Sequence, residues 1–549
     1  MTTAEERTVP AGDPDEHHEV DPGAEPLADA TPAGDPLAVD AGWGRWVWAV
    51  RALVVGAVLA GVVLRFVTRS PLWLDEALSV NIARLPLGDI PAALKMDGHP
   101  PLYYVLLHGW MDAFGEGSVA VRAFSGLWSL ALFPLAWVAA RRIGGTRVAV
   151  YTVALLALSP FAIRYGTETR MYAMLSVLAL AGWLLVDDGL RRPTPGRLAA
   201  IAAITGLLLW THYWAMWFLA AAGIGLLVHG WRARKDGRHD AYGATVRVIG
   251  ALVVGGLTFL PWLPTLLYQG AHTGTPWARP VRPTEMVMFT LADFGGGPQA
   301  EATMLGWLLG IAVLLGVLGK ATASRFDVDL DLRSRVEARP YAILVIGTMA
   351  IAEVVGYATG ATYASRYAAV IFPFVIVLAG LGVDRLRSRP IVVGALAVLL
   401  LLGGIGGVRN VVTDRTDARR SVQAIQAAGQ AGDVVVYCPD QLGPSGSRLL
   451  GEEFDQVTYP AFRRPERVDW VDYKEQLAKA DPRAFATKLL ARAEGHRIFF
   501  VYSLNYTTHR AICPKVLEAL GEKRVPQTLT QPTDAFEQAG VVVLEPAAR

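Results

Sequence analysis

Charge is scarce in this 549-residue chain: only 18% of residues are Asp, Glu, Lys or Arg, and their formal balance is +2. No basic stripe or recognition motif stands out, which excludes nucleic acid as a partner. Cysteine is nearly absent too. Cys438 and Cys513 both fall in the polar C-terminal region, where they form either a disulfide, if that region is extracytoplasmic, or two separate buried thiols. Residues 1–42 have Arg7 as their only Arg or Lys and are rich in Asp, Glu, Pro, Ala and Gly. They lack the basic start and small-residue cleavage site of a signal peptide, and they cannot bury enough apolar surface to fold. A disordered acidic cytoplasmic tail is expected, with His17 and His18 solvated rather than metal-bound.

Apolar sequence, by contrast, is abundant. Hydrophobic residues make up 53% of the chain and mean hydropathy is +0.34, which points to a polytopic membrane protein. A span needs about 20 apolar residues to cover about 30 Å of hydrocarbon, and about eleven segments qualify. They lie near 46–67, 119–140, 146–164, 170–186, 197–212, 214–231, 246–266, 302–319, 341–358, 367–384 and 390–408. The run Leu102 to Phe114 is too short to cross and carries Tyr103, Tyr104, His108, Trp110 and Asp112. It reads as a helix lying at the interface. With that run left out, Arg141, Arg142 and Arg147, Arg191 to Arg197, Arg232 to Arg238, Lys320 to Arg339 and Arg385 to Arg389 all fall on one side, the cytoplasmic one. Counting it as a span would place these clusters outside. Length and charge thus favour the same topology, with the N-terminus cytoplasmic and the C-terminus outside.

Three regions follow: the tail at 1–42, a membrane domain at 43–409 and an extracytoplasmic domain at 410–549. The last has soluble composition, with strand-like runs at Val434 to Tyr437, Ile498 to Tyr502 and Val541 to Leu544. Helical patterns at Asp472 to Ala493 and His509 to Leu520 make it a small α/β domain. No catalytic constellation is visible in it.

Candidate chemistry gathers on the outer side. Asp75 and Glu76 follow the first span, and two neighbouring carboxylates can divide acid and base roles. Asp97-Gly98-His99-Pro100-Pro101-Leu102-Tyr103-Tyr104 brings a His and two Tyr to the same loop, with the prolines fixing entry into the short helix. Arg170 and Arg366 each stand at the outer mouth of a span, an expensive place for a charge that is neither paired nor functional. Arg164 is a third cation of this kind, and its plainer reading is a pair with Glu168. Tyr165, Tyr172, His212 and Tyr213 could shape a pocket or belong to the membrane's aromatic belt. Two tempting signals are set aside. Asp327-Val328-Asp329-Leu330-Asp331 imitates a metal-binding Asp-x-Asp but lies on the cytoplasmic side. Gly295-Gly296-Gly297-Pro298 lacks the Lys-Ser/Thr ending of a phosphate loop.

Leu74-Asp75-Glu76, then His99 to Tyr104, then Arg122-Ala123-Phe124-Ser125, then Ser159-Pro160 with Tyr165, Glu168, Arg170 and Tyr172, resembles the family 39 glycosyltransferases of the GT-C superfamily. The resemblance is good from about Trp46 to Tyr213, weakens towards Arg366-Tyr367 and says little about the C-terminal domain. It implies a GT-C fold and an enzyme that moves a sugar from a polyprenyl-phosphate carrier to an acceptor outside the cytoplasmic membrane. It also implies that Asp75 is the catalytic carboxylate, with Glu76 orienting the acceptor or supporting Asp75. The departing phosphate needs preorganised cations, a role open to Arg170, Arg366 and, in third place, Arg164, while Arg122 serves structure or carrier binding. Mannose is the family's usual sugar. The acceptor is open among protein, lipid and glycan, and no cofactor is implied beyond a divalent ion that Asp75 and Glu76 could hold. A secondary transporter is the competing reading, but it predicts ionisable groups at mid-membrane, whereas here they gather at one face. A receptor or assembly scaffold without catalysis would leave Asp75, Arg170 and Arg366 unexplained.

Overall fold

The computed structural model describes residues 44–273, 281–322, 324, 326–360, 363–504, 506, 509 and 511–546, so the acidic tail lies outside the described residues. The first half of the chain is helical throughout: α1 (Gly44–Leu64), α2 (Leu74–Ala83), α3 (Ile90–Asp97), α4 (Leu102–Phe114), α5 (Ser118–Ala157), α6 (Pro160–Gly166), α7 (Tyr172–Arg191), α8 (Pro195–Thr211), α9 (Ala215–Lys235), α10 (His239–Leu257) and α11 (Leu263–His272). There follow α12 (Pro283–Gly295), α13 (Ala300–Leu318), a small antiparallel pair β1 (Gly319–Ala321) and β2 (Val328–Leu330), α14 (Arg339–Thr359), α15 (Phe372–Val383) and α16 (Arg389–Val412).

All eleven apolar segments are helical, but they are not eleven equal spans. Seven stretches are long and apolar enough to cross a membrane: those starting at Trp46, Ser118, Tyr172, His239, Ala300, Arg339 and Arg389. The 40-residue α5 holds two of the expected segments, divided at Gly145, whose φ of +78° breaks the helix at little steric cost. The expected 146–164 segment is cut by Ser159, which accepts from the Ala162 amide, and by Pro160 at the start of α6. Pro261 and Pro264 likewise replace the end of the 246–266 segment by a 3₁₀ turn and the separate α11. The 367–384 segment becomes a 3₁₀ turn at Ser365–Val370 and the 12-residue α15, about 18 Å long by helical rise. Every residue of α15 is buried. It packs between α5 and α13 because Gly380 and Gly382 allow backbone contact: a Cβ on Gly382 would sit 1.7 Å from the Ala312 carbonyl oxygen.

The short α2, α3 and α4 fill the connection between α1 and α5, as the omission of 102–114 from the spans requires. Two buried tyrosines, Tyr103 and Tyr104, turn α4 into this cluster rather than away from it.

Beyond α17 (Ala418–Ala428) lies a five-stranded sheet: β3 (Val434–Cys438), β4 (Asp455–Thr458), β5 (Ile498–Tyr502), β6 (Pro526–Thr530) and β7 (Gly540–Leu544), in the order β4-β3-β5-β7-β6. β4, β3 and β5 are parallel, and β7 runs antiparallel to both of its neighbours. Alternate residues feed opposite cores, Val434, Val436 and Phe500 on one face and Val435, Tyr437 and Phe499 on the other. Cys438 at the end of β3 is disulfide-bonded to Cys513, with Cα atoms 5.7 Å apart. The helix expected over Asp472 to Ala493 is divided by Asp481-Pro482 into Tyr473–Lys479 and Pro482–Arg492, and the one expected from His509 starts only at Cys513. Val468, Trp470 and Tyr473 of this region pack against Trp73, Leu74 and Leu78, so the sheet domain is seated on the start of α2.

Candidate active site

The first turn of α2 carries Asp75 and Glu76 at consecutive positions, which helical geometry turns about 100° apart. Glu76 is wholly buried. Arg122 of α5 grips it with two bonds of 2.7 and 2.5 Å, the Thr169 amide donates at 3.0 Å, and Arg415 stands 3.8 Å away. Burial alone would raise the Glu76 carboxyl, but Arg122, Arg415 and the amide hold it below its ordinary range. The remaining donors of Arg122 are taken by the carbonyls of Ser70 and Pro71. Arg415 donates to Thr167 and approaches Glu168, which Arg164 also holds at 3.0 Å. Arg122, Arg415, Glu168 and Arg164 are therefore joined in one ionic network around Glu76, in which Glu168 Oε1 and Arg415 Nε keep no hydrogen-bond partner.

Asp75 is placed differently. Its Oδ2 is buried without a hydrogen-bond partner, 3.6 Å from Arg366 and 4.0 Å from Arg170, and its side chain keeps 16% exposure. Arg170 reaches Ser79 at 3.2 Å, Tyr104 Oη at 3.3 Å and His99 Nε2 at 2.9 Å. A guanidinium can only donate, so Nε2 accepts and the ring proton sits on Nδ1, which donates to Asp97 at 2.9 Å. Tyr104 also donates to Asp97. Burial opposes a charged Asp97, yet His99 and Arg170 keep its carboxyl below the usual range. The Nε atoms of Arg170 and Arg366 and the hydroxyl of Tyr172 are likewise buried and unpartnered. Buried polar groups are normally satisfied, so three orphaned donors beside one orphaned carboxylate oxygen mark a place shaped for a polar ligand.

The aromatic candidates form a wall beside these groups. His212 packs 5.2 Å from the Tyr367 ring and 5.8 Å from Tyr172, and Tyr172 packs 4.9 Å from Tyr165. Tyr165 donates to Asp293 at 3.2 Å, and Arg366 lies over Tyr367 at 5.8 Å. Two candidates stand apart. Tyr103 bonds Ser125 inside α5's interface, and Tyr213 bonds Gln269 and Trp262, tying α11 to the α3 region through Gln269 and the Leu94 carbonyl.

Several partners were not singled out from sequence. Arg415 follows the last span in what reads as an ordinary polar connection, and only the fold carries it to Glu76. Asp293, Ser79 and Glu537 were equally silent. Glu537 comes from the C-terminal domain, where no catalytic residue was expected, and accepts from the Leu74 amide at 2.5 Å, one residue before Asp75. It also accepts from Thr416 at 2.8 Å and from Ser445. Burial pushes its carboxyl from 4.5 up to about 7.

A divalent ion does not fit this arrangement. The two carboxylates that could share one are turned apart, Glu76 is saturated by arginine, and two guanidiniums lie against Asp75 where a cation would stand. Among the described residues no cluster of three or more His, Cys, Asp or Glu has metal-binding spacing.

A family model described as dolichyl-phosphate-mannose-protein mannosyltransferase matches residues 98–256, a stretch that contains His99, Arg122, Arg170 and His212 but begins after Asp75. No curated protein matches the sequence. Among solved structures, ArnT from Cupriavidus metallidurans in the apo state is similar, with a TM-score of 0.58 and 14% identity over 91% of this chain and 98% of that one. The same protein bound to undecaprenyl phosphate gives 0.53 and 14%, over 92% and 98%. The architecture is therefore the GT-C fold, and the chain resembles the GT-C glycosyltransferases in both its family match and its fold.

Proposed function

We propose that this protein is an integral membrane glycosyltransferase that moves a sugar from a polyprenyl-phosphate carrier to an acceptor hydroxyl on the outer face of the cytoplasmic membrane. One observation carries the reading: the buried, unpartnered Oδ2 of Asp75 between Arg170 and Arg366. The family match and the undecaprenyl phosphate bound by the structurally similar ArnT support the carrier class.

In this mechanism the carrier phosphate enters against Arg170 and Arg366 and draws their charge away from Asp75. The acceptor O–H delivers its proton to Asp75 as its oxygen attacks the anomeric carbon from the face opposite the phosphate. The bond from that carbon to the phosphate oxygen breaks with its electron pair, inverting the centre. The released phosphate gains one negative charge, which the two guanidiniums stabilise without reorganising. Arg170 is held for this by Ser79, Tyr104 and the His99–Asp97 pair. Glu76 acts at one remove, by fixing α5 and the Thr167–Arg170 turn beneath Asp75.

The extracytoplasmic placement of the 410–549 domain and the cytoplasmic side of the arginine-rich loops belong to the same reading. Purified protein in lipid vesicles, supplied with polyprenyl-phosphate mannose and cell-envelope acceptors, should release polyprenyl phosphate. Turnover that survives Asp75→Asn would overturn the assignment of the base. Impermeant labelling of a cysteine introduced at Arg234 in intact cells would overturn the sidedness.

A further inference from the structure

Away from Asp75, behind the Arg122–Glu76 pair, an open cavity of about 200 Å³ lies where α1 ends and α5 begins. Four of its lining residues are arginines, Arg65, Arg69, Arg122 and Arg419, and none carries a carboxylate. Among the described residues only Arg122 of these four has a carboxylate partner, Glu76. Arg65 is fully buried, and its donors go to the carbonyls of Gly61, Leu156 and Ala157 and to Ser129 Oγ, with no carboxylate among them. Its guanidinium lies 4.9 Å from the Phe133 ring, a weak counterweight to a charge. Arg69 and Arg419 are exposed and have no acidic partner among the described residues. Arg419 donates to the Arg69 carbonyl at 2.9 Å. Beyond Arg419 a neighbouring depression carries Asp414, Asp417 and Asp534.

Two further features favour an anion. Ser118 and Val119, which open α5, line the cavity, and the N-cap Gly117 provides no side chain to bond their free amides. Thr68 Oγ1, also in the lining, is buried without a partner. A buried, uncompensated cation is costly, and here it borders a space that holds two more free cations, a helix N-terminus and an idle hydroxyl.

We infer that this cavity binds a phosphate group, distinct from the carrier phosphate proposed at Arg170 and Arg366. Arg69 and Arg419 close on the phosphate oxygens, Thr68 donates its hydroxyl, and Arg65 supplies charge from behind. The position at the end of a membrane-crossing helix suits the headgroup of an anionic phospholipid, and a soluble phosphate ester has the same chemistry.

Full-length protein in vesicles of phosphatidylcholine with phosphatidylglycerol, compared with phosphatidylcholine alone, separates the sources when lipid retained after detergent extraction is counted by native mass spectrometry. Inorganic phosphate titrated against the protein in phosphatidylcholine forms the second arm, read by thermal shift. Loss of two charge-assisted contacts in Arg69→Gln/Arg419→Gln should weaken phosphatidylglycerol retention, or the phosphate-induced shift, by about tenfold or more. The first result identifies a lipid headgroup and the second a soluble phosphate. Arg366→Gln serves as the background for control: it disables the proposed carrier site, and the loss caused by Arg69→Gln/Arg419→Gln should persist in it, so phosphate bound at the carrier site cannot imitate binding here. Equal retention and equal shift in the double variant, or neither ligand bound by the parent protein, would refute the site.

Discussion

Asp75 and Glu76 are adjacent on one helical turn and have opposite fates. The Glu76 side is sealed, its oxygens held by Arg122 and the Thr169 amide with Arg415 close by. The Asp75 side is open, with cations at 3.6 and 4.0 Å but no hydrogen bond to the buried oxygen. A carboxylate saturated by donors is poorly placed to accept a proton, whereas one left unsaturated beside free cations can take up a proton and a phosphate together. In the proposed mechanism the contrast separates a carboxylate that holds the fold from one that is left to take a proton.

The contrast is broken most directly at Asp75. Asp75→Asn should lower turnover by about 10⁴-fold, the upper range for a general base, while thermal stability stays near the parent value. Glu76→Gln should do the reverse, removing about 3 to 5 kcal/mol of stability by leaving Arg122 buried and unpaired. Melting of the detergent-solubilised variants checks this, and Glu76→Gln/Arg122→Met should regain part of the loss because Arg122 no longer stands buried and unpaired. A smaller effect, about tenfold in rate, is expected for Arg366→Lys, which keeps the charge but loses planar, two-point contact with phosphate.

The mildest test concerns the clamp on α2. Glu537 faces the Leu74 amide, Thr416 and Ser445, with Asp75 and Tyr506 nearby. Its folded pKa is raised from 4.5 to about 7, so the folded state holds the extra proton between those values. Stability should therefore fall as pH rises through that window, by at most about 1.4 kcal/mol per pH unit for one group. Burial raises Asp440 to about 7 as well, and it adds a loss of the same sign. Glu537→Gln should reduce the slope without abolishing it, which melting curves from pH 5 to 8 would show.

Much of the site is legible from residue types and order. Arg170 and Arg366 stand out because a charge at the mouth of an apolar span is costly, and His99 because its loop delivers it with two tyrosines; the structure sets both arginines beside Asp75 and His99 against Arg170. Arg164 and Glu168 pair as their i, i+4 spacing suggests. Tyr213 was a reasonable pocket candidate by position, but its hydroxyl is spent on Gln269 and Trp262. Arg65 did leave a signal, a charge inside the first apolar segment, whereas Arg415 and Glu537 left none because ordinary polar sequence surrounds them.

Sequence alone determined the helical membrane architecture, the short α4 and three of the five strands of the C-terminal sheet. These follow from local properties: apolar length, proline and glycine placement, and alternation over a few residues. Only the tertiary structure decided which of two adjacent carboxylates stays open and that the C-terminal domain grips the start of α2. It also decided which arginines are spent on structure. Those outcomes depend on groups up to 463 positions apart in the chain, as Leu74 and Glu537 are. A charge's role is set by the partners that folding brings to it, and no local pattern records them.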